Sequence, residues 1–162
     1  MKRWDERPFE VRNLFNPAFC GLILCRAMHG YEEENPDGIP FSLLLIILPL
    51  CLHKTARKLI AENIRGHLLK TVEENPQLLI GFAQRTIDLM PYILESLGFL
   101  MQQGFFLVTS EGRLKSVPKK VRKSITGTDE SIECQRVARK VGKEFARISD
   151  RATIYTTFGI RP

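Results

Sequence analysis

The sequence predicts a mainly α fold (α+β): a compact multi-helix domain spanning 1–162, with one β-hairpin and a long basic C-terminal helix. Three observations predict it. Apolar residues recur three and four apart through most of the chain, the repeat of a helix with one buried face. That period gives way once, at 105–117, to alternation bounded by glycines. At 162 residues, 44% hydrophobic and 26% charged, the chain can bury a core without staples.

Residues 1–12 read as an extended leader anchored by Trp4, Phe9 and Val11. Asn16-Pro17 starts the first helix, because Asn accepts from an orphan amide and Pro loses nothing at the first helical position. This helix runs to about Tyr31, with Phe15, Phe19, Leu22, Ile23 and Ala27 inward. Glu32 to Pro40 is a loop with Asn-Pro and Asp-Gly turn signals. Ser42 caps the apolar run Phe41 to Leu52, and Pro49 kinks that helix or splits it in two. The chain continues helical from Thr55 to about Ala61. Asn63 to Gly66 is a turn, and a helix over 67–74 closes at Asn75-Pro76.

Two further helices are expected, at 76–88 and 91–103. The first buries Leu79, Ile80, Ala83 and Ile87. The second buries Ile93, Leu94, Leu97, Leu100 and Met101, and Gly104 closes it in left-handed geometry. Phe105 to Thr109 and Leu114 to Val117 then form a hairpin around Ser110-Glu111-Gly112. A helix closed by Gly and followed by a hairpin is the layout of a winged-helix half. Residues 118–131 form a basic connector. Thr128 or Asp129 caps a last helix, 130–149, with Cys134, Val137, Ala138, Val141, Phe145 and Ile148 on its inner face. Residues 150–162 form a short apolar tail.

Charge is unevenly spread. Residues 1–114 carry 12 Lys and Arg against 13 Asp and Glu, and residues 115–162 carry 12 against 5. The excess of +6 therefore lies in the last third. Lys119, Lys120, Arg122, Lys123, Arg136, Arg139, Lys140, Lys143 and Arg147 are its candidate contact set, for a nucleic-acid backbone or an acidic protein surface. A plain solvated face explains the same charges. No aromatic residue interleaves with Lys119 to Lys123, so stacking on single-stranded bases is not indicated. The 91–103 helix holds Glu95 and no Lys or Arg, which argues against reading DNA bases.

Phe41 to Leu52 is too short to span a membrane, which takes about 20 residues. Met1 to Pro8 is too polar and acidic for a signal or transit peptide, so a cytoplasmic location is expected. The 4 cysteines form no CxxC pair. Cys20, Cys25 and His29 could suggest a metal site, but buried thiols and a rim histidine explain them better. His53-Lys54, with Arg57 a turn on, either meets an acidic partner or offsets a helix dipole, and the second is favoured. No phosphate-binding glycine loop, nucleophile elbow or zinc-protease motif occurs. No catalytic residue, metal or cofactor is expected.

Several stretches together resemble the middle component of bacterial three-component ABC systems. They are Asn13-Leu14-Phe15-Asn16-Pro17-Ala18-Phe19, the run from Leu43 to Leu52 broken as Leu48-Pro49-Leu50, His53-Lys54, and Tyr155 with Gly159-Ile160-Arg161-Pro162. The resemblance implies a small subunit beside an SMC-type ABC ATPase and an effector protein, for which a nuclease is one candidate. It implies anti-phage or anti-plasmid defence of the Lamassu type, and no catalytic residues to carry over. The expected function is a non-catalytic adaptor docking through surface helices and the C-terminal tail. The rival is a winged-helix-like DNA-binding regulator using the basic last third. An enzyme built on His29, His53 or His67 is the weakest alternative.

Overall fold

The computed structural model describes residues 4–160. After a 3-10 turn at Trp4–Glu6 come helices α1 (Phe9–Leu14) and α2 (Pro17–Glu32), strand β1 (Ile39–Pro40), α3 (Phe41–Leu44) and α4 (Ile47–Cys51). Then follow α5 (Lys54–Glu62), α6 (Leu68–Glu74), a 3-10 turn at Pro76–Leu79, and α7 (Phe82–Gln102). Strands β2 (Phe106–Val108) and β3 (Arg113–Ser116) precede α8 (Asp129–Ile148) and α9 (Arg151–Thr157). The fold is mainly α with a small antiparallel sheet of order β1-β3-β2. The hairpin falls where alternation placed it. Its third strand, inside the expected 32–40 loop, is only two residues long and gives no periodic signal.

The centre is the crossing of α2 and α8. A Cβ on Gly30 would lie 1.9 Å from the Arg139 carbonyl oxygen, and one on Gly142 would lie 2.0 Å from that of Ala27. Only hydrogen side chains at both positions let the two backbones approach this closely. Around the crossing, Ile23, Leu24, Ala27, Met28, Val137, Ala138, Val141 and Phe145 are buried. Asn16 caps α2 as expected, its side chain accepting from Ala18 N–H at 2.9 Å. Thr128 caps α8, accepting from Ser131 N–H at 3.3 Å.

The apolar run does divide in two. The break is at Leu45–Ile46, four residues before the proline, because the Pro49 ring cannot sit over the carbonyl of Leu45. Pro49 itself lies in the first turn of α4, where its missing N–H costs no ladder bond. Ser42 does not cap: Pro40 holds that position, and the Ser42 hydroxyl makes no hydrogen bond.

Several expectations are corrected. The leader is helical from Phe9, and Trp4 and Phe9 are exposed. Its anchor is Arg7, whose guanidinium donates twice to the Glu95 carboxylate, each at 2.7 Å. The tail is no free segment either. It forms α9, and Ile154 and Phe158 enter the core, with the Phe158 ring 5.1 Å from that of Phe82. These apolar side chains are spent inside the protein and cannot dock a partner. The expected helices at 76–88 and 91–103 are instead a short 3-10 turn and one continuous α7 that runs through Pro91. Its buried face is Phe82, Thr86, Ile93, Ser96, Leu97 and Leu100, so Ala83, Ile87, Leu94 and Met101 are exposed, as is Ile80 just before it. Gly104 closes α7 in left-handed geometry at φ 63°, as expected.

Candidate docking groove

Two buried polar side chains shape the connector between β3 and α8. Arg26 on α2 is only 4% exposed. Its Nε donates to the Gln135 side-chain oxygen at 3.1 Å, and its two terminal nitrogens donate to the Arg122 and Ser124 carbonyls, each at 2.8 Å. Gln135 on α8 donates to the Thr126 carbonyl at 3.0 Å. Three alternate carbonyls of an irregular segment are thus satisfied from below, which fixes its path. Burial, and next the charge of Arg139, pull the Arg26 pKa below its usual value. Its guanidinium has no carboxylate among these partners, so its charge adds to the site.

The connector, β3, α2 and α8 enclose an open groove of about 920 Å³. Lys115, Lys119, Arg122 and Lys123 line one side, with His29, Glu32, Glu33 and Arg139 opposite. Both acids are already engaged. Glu32 accepts from the Ser116 N–H at 2.6 Å and from the Ser116 hydroxyl. Glu33 meets Arg139 at 2.5 Å and Lys143 at 3.2 Å. Among the described residues, Lys115, Lys119, Arg122 and Lys123 form no ion pair with a carboxylate. Lys119 also holds a left-handed backbone, φ 68°, without being glycine. Burial foremost, then Arg26 and Arg139, hold the His29 imidazole below its usual pKa despite Glu32 and Glu33, so it is neutral at pH 7.

The rest of the expected basic set lies elsewhere. Lys120 turns to the end of α7, donating to the Gln103 carbonyl at 3.2 Å. Arg136 stands beside Ala61, Ile64 and Glu133. Lys140 and Arg147 each reach the buried Glu144 at 3.1 Å, and Arg147 also reaches Glu34 at 3.0 Å. The outer face of α8 is therefore largely neutralised from within. Sequence reasoning missed Arg26, Lys115 and Gln135. Arg26 had a signal: it sits among Ile23, Ala27 and Gly30, on the inward side of α2, where an unpaired cation is costly.

The chemistry-bearing residues considered above fall apart spatially. Burial pushes the Cys20 and Cys25 thiols up to about 12, and Cys51 and Cys134 upward too. Among the described residues, no three His, Cys, Asp or Glu side chains gather as metal ligands. His53 caps α5, its Nδ1 accepting from Ala56 N–H at 3.3 Å. Arg57 is buried, pairing with Glu130 at 2.6 Å and Glu133 at 2.7 Å and donating to the Cys51 carbonyl. Arg57 thus serves the fold, whereas His53 begins a helix as an acceptor rather than ending one as a cation, which corrects the dipole reading of His53-Lys54. His67 lies 3.6 Å from Glu144, and its side chain is otherwise exposed.

A family model, ABC-three component (ABC-3C) system Middle Component 3, matches residues 4–162. The chain belongs to this family. No curated protein and no solved structure matches it. The residues that carried the resemblance are mostly structural in this Middle Component 3 chain. Phe15 stacks on Tyr92 at 4.4 Å, and Asn16 and Pro17 begin α2. Pro49 lies in the first turn of α4, His53 caps α5, and Lys54 opens α5 on its exposed side. The Tyr155 hydroxyl donates to the Ser42 carbonyl at 2.6 Å, and Gly159 closes α9 at φ 66°. Asn13 is exposed at the end of α1, and Pro162 lies outside the described residues. No helix among them is long and apolar enough to cross a membrane.

Proposed function

We propose that this chain is a non-catalytic accessory subunit that joins an SMC-type ABC ATPase to an effector protein, in an anti-phage or anti-plasmid system of the Lamassu type. The family match over residues 4–162 supports membership of a three-component system. The observation that carries the docking role is the groove, where Lys115, Lys119, Arg122 and Lys123 meet no carboxylate among the described residues. Such a cluster favours an acidic surface on a partner and speeds encounter with it. The test is co-purification with the other two components of the system. Lys119→Glu with Lys123→Glu should abolish capture of one component at physiological salt while leaving the melting temperature unchanged. Capture that is indifferent to both charge reversals and to salt would remove the groove from the interface.

A second reading is binding to the backbone of duplex DNA through the same cations. The sheet order β1-β3-β2 behind α7 supports a winged-helix-like arrangement, with the hairpin as wing. Against base recognition, the one basic residue of α7 is Arg85, which donates to the Ile80 and Leu78 carbonyls. Duplex affinity measured against salt discriminates the readings. Each phosphate contact adds about 0.9 to the log–log slope, so a slope near zero leaves protein docking alone.

A further inference from the structure

The positive charge of the described residues is concentrated in the groove. Residues 4–160 carry 21 Lys and Arg against 18 Asp and Glu, a net of +3. The groove lining alone holds six cations, Arg26, Lys115, Lys119, Arg122, Lys123 and Arg139, against Glu32 and Glu33, a net of +4. All the rest of residues 4–160 therefore nets −1. A generally basic surface does not distribute its charge in this way. Both oxygens of each acid are engaged: Glu32 accepts from the Ser116 N–H and hydroxyl, and Glu33 from Arg139 and Lys143. Among the described residues, the side chains of Lys115, Lys119, Arg122 and Lys123 make no hydrogen bond. Arg122 thus keeps its guanidinium donors, in a fork that matches phosphate oxygens. At the floor, the 4% exposed Arg26 meets two carbonyls and an amide oxygen, and no carboxylate. A buried cation without a counter-ion is costly, and an anion seated over it offsets that cost.

Size and charge density select the ligand. The groove, about 920 Å³, falls within the range of small-ligand clefts, about 300–1,000 Å³. Its α2 wall runs from Arg26 to Glu33, about 10 Å of helix. An extended acidic peptide places about three residues over that length, and alternation turns at most two carboxylates toward the groove. A terminal phosphoryl group carries about −1.5 to −2, so two or three linked groups bring about four charges into the same space. A duplex matches this density locally but continues past both ends of the groove, where the remaining residues offer no net positive charge. No aromatic side chain lines the groove, so nothing there stacks a nucleobase.

We propose that the groove binds a compact oligophosphate, two or three linked phosphoryl groups recognised without their carrier, seated over Arg26 and gripped by Lys119, Arg122 and Lys123. This goes beyond the docking role above: a partner's acidic surface can cover the exposed rim, and it leaves the buried floor unanswered. The test titrates the full chain calorimetrically with tripolyphosphate at physiological salt, beside ATP, AMP and orthophosphate. Tripolyphosphate should bind one per chain, and ATP no tighter. AMP and orthophosphate should bind at least about tenfold more weakly. Lys119→Ala and Lys123→Ala should each weaken tripolyphosphate about tenfold. Both positions are exposed, so the melting temperature should hold. Lys58→Ala and Arg65→Ala, exposed on α5 and in the turn after it, remove the same charge elsewhere and should leave affinity unchanged. The proposal is overturned by no binding, by an equal loss in these two controls, or by orthophosphate as tight as tripolyphosphate. Tighter binding of ATP, of an octaglutamate peptide or of a short duplex overturns it too. Capture of the other components keeps it apart from the docking role. Capture lost with Lys119→Glu and Lys123→Glu, in a chain that ignores tripolyphosphate, sinks the oligophosphate and spares docking. Capture indifferent to those reversals, in a chain that binds tripolyphosphate, sinks docking and spares the oligophosphate.

Discussion

On α8, Arg139, Lys143 and Arg147 reach carboxylates of Glu33, Glu34 and Glu144 at 2.5–3.3 Å. On the connector just before it, Lys119, Arg122 and Lys123 reach none. Both stretches are rich in Lys and Arg and belong to the basic last third, though α8 also carries Asp129, Glu130, Glu133 and Glu144 and the connector carries no acid. Part of their difference is Glu144 on α8 itself, and the rest arises from Glu33 and Glu34, which the chain brings back against α8 across more than a hundred residues. Charge counted along the sequence is therefore a poor measure of the field at the surface. What matters is which cations the fold has already answered.

Separating α8 from α2 breaks the comparison most severely. Gly142→Ala and Gly30→Ala each place a Cβ within about van der Waals overlap of a backbone carbonyl, and backbone cannot swing aside as a side chain can. Each should cost about 3 kcal/mol or more, read as a lower urea midpoint, and should release the Glu33 and Glu34 pairs with it. Glu144→Gln should have the next effect, about 2 kcal/mol. Burial alone would raise the Glu144 carboxyl pKa. The Leu68 N–H at 3.0 Å, Lys140 and Arg147 outweigh it and hold the group below its usual range. A depressed folded pKa contributes stability above the unfolded value, and that stability is lost as pH falls through the folded one. Stability of the wild type should therefore decline below about pH 4.5 more steeply than that of Glu144→Gln.

Removing the answering acids sharpens the contrast with smaller energetic cost. Glu33→Gln with Glu34→Gln should leave the urea midpoint nearly unchanged, because both pairs are partly solvated. Binding to a polyanion such as heparin should tighten, and its salt slope should steepen by about one to two units as Arg139 and Lys143 become available, Arg147 keeping its pair with Glu144. An unchanged slope would mean that the α8 cations are out of reach of a ligand in the groove.

Much of the fold was legible because its signals are local. Asn16-Pro17, Thr128, Gly104 and the alternation at 105–117 each act within a few residues of themselves. The errors share a cause as well. A helical repeat shows that a stripe is apolar, not that it is covered, so Ile80, Ile87, Leu94 and Met101 were assigned to the core. Pro91 was taken as a helix start, whereas packing of Ile93, Leu97 and Leu100 carries α7 through it. In the groove, Lys119, Arg122, Lys123 and Arg139 were found by charge. Arg26 and Gln135 were not, because their role depends on contacts 96 to 109 residues away.

Lys119 tests whether the open region is kept open at a cost. A non-glycine residue at φ 68° is strained by about 1 kcal/mol. Lys119→Gly relieves that strain, but a glycine also gives the unfolded chain more freedom, which returns about half of the gain. The net result should be a small stabilisation, about 0.5 kcal/mol, from urea unfolding at pH 7. The same substitution removes one of the unanswered cations and should weaken partner or polyanion binding. Stability and binding moving in opposite directions is the behaviour of a residue retained for what it contacts outside the chain. If instead Lys119→Gly loses stability, the left-handed turn is held by its lysine, and the connector belongs with α8 as a structural use of positive charge.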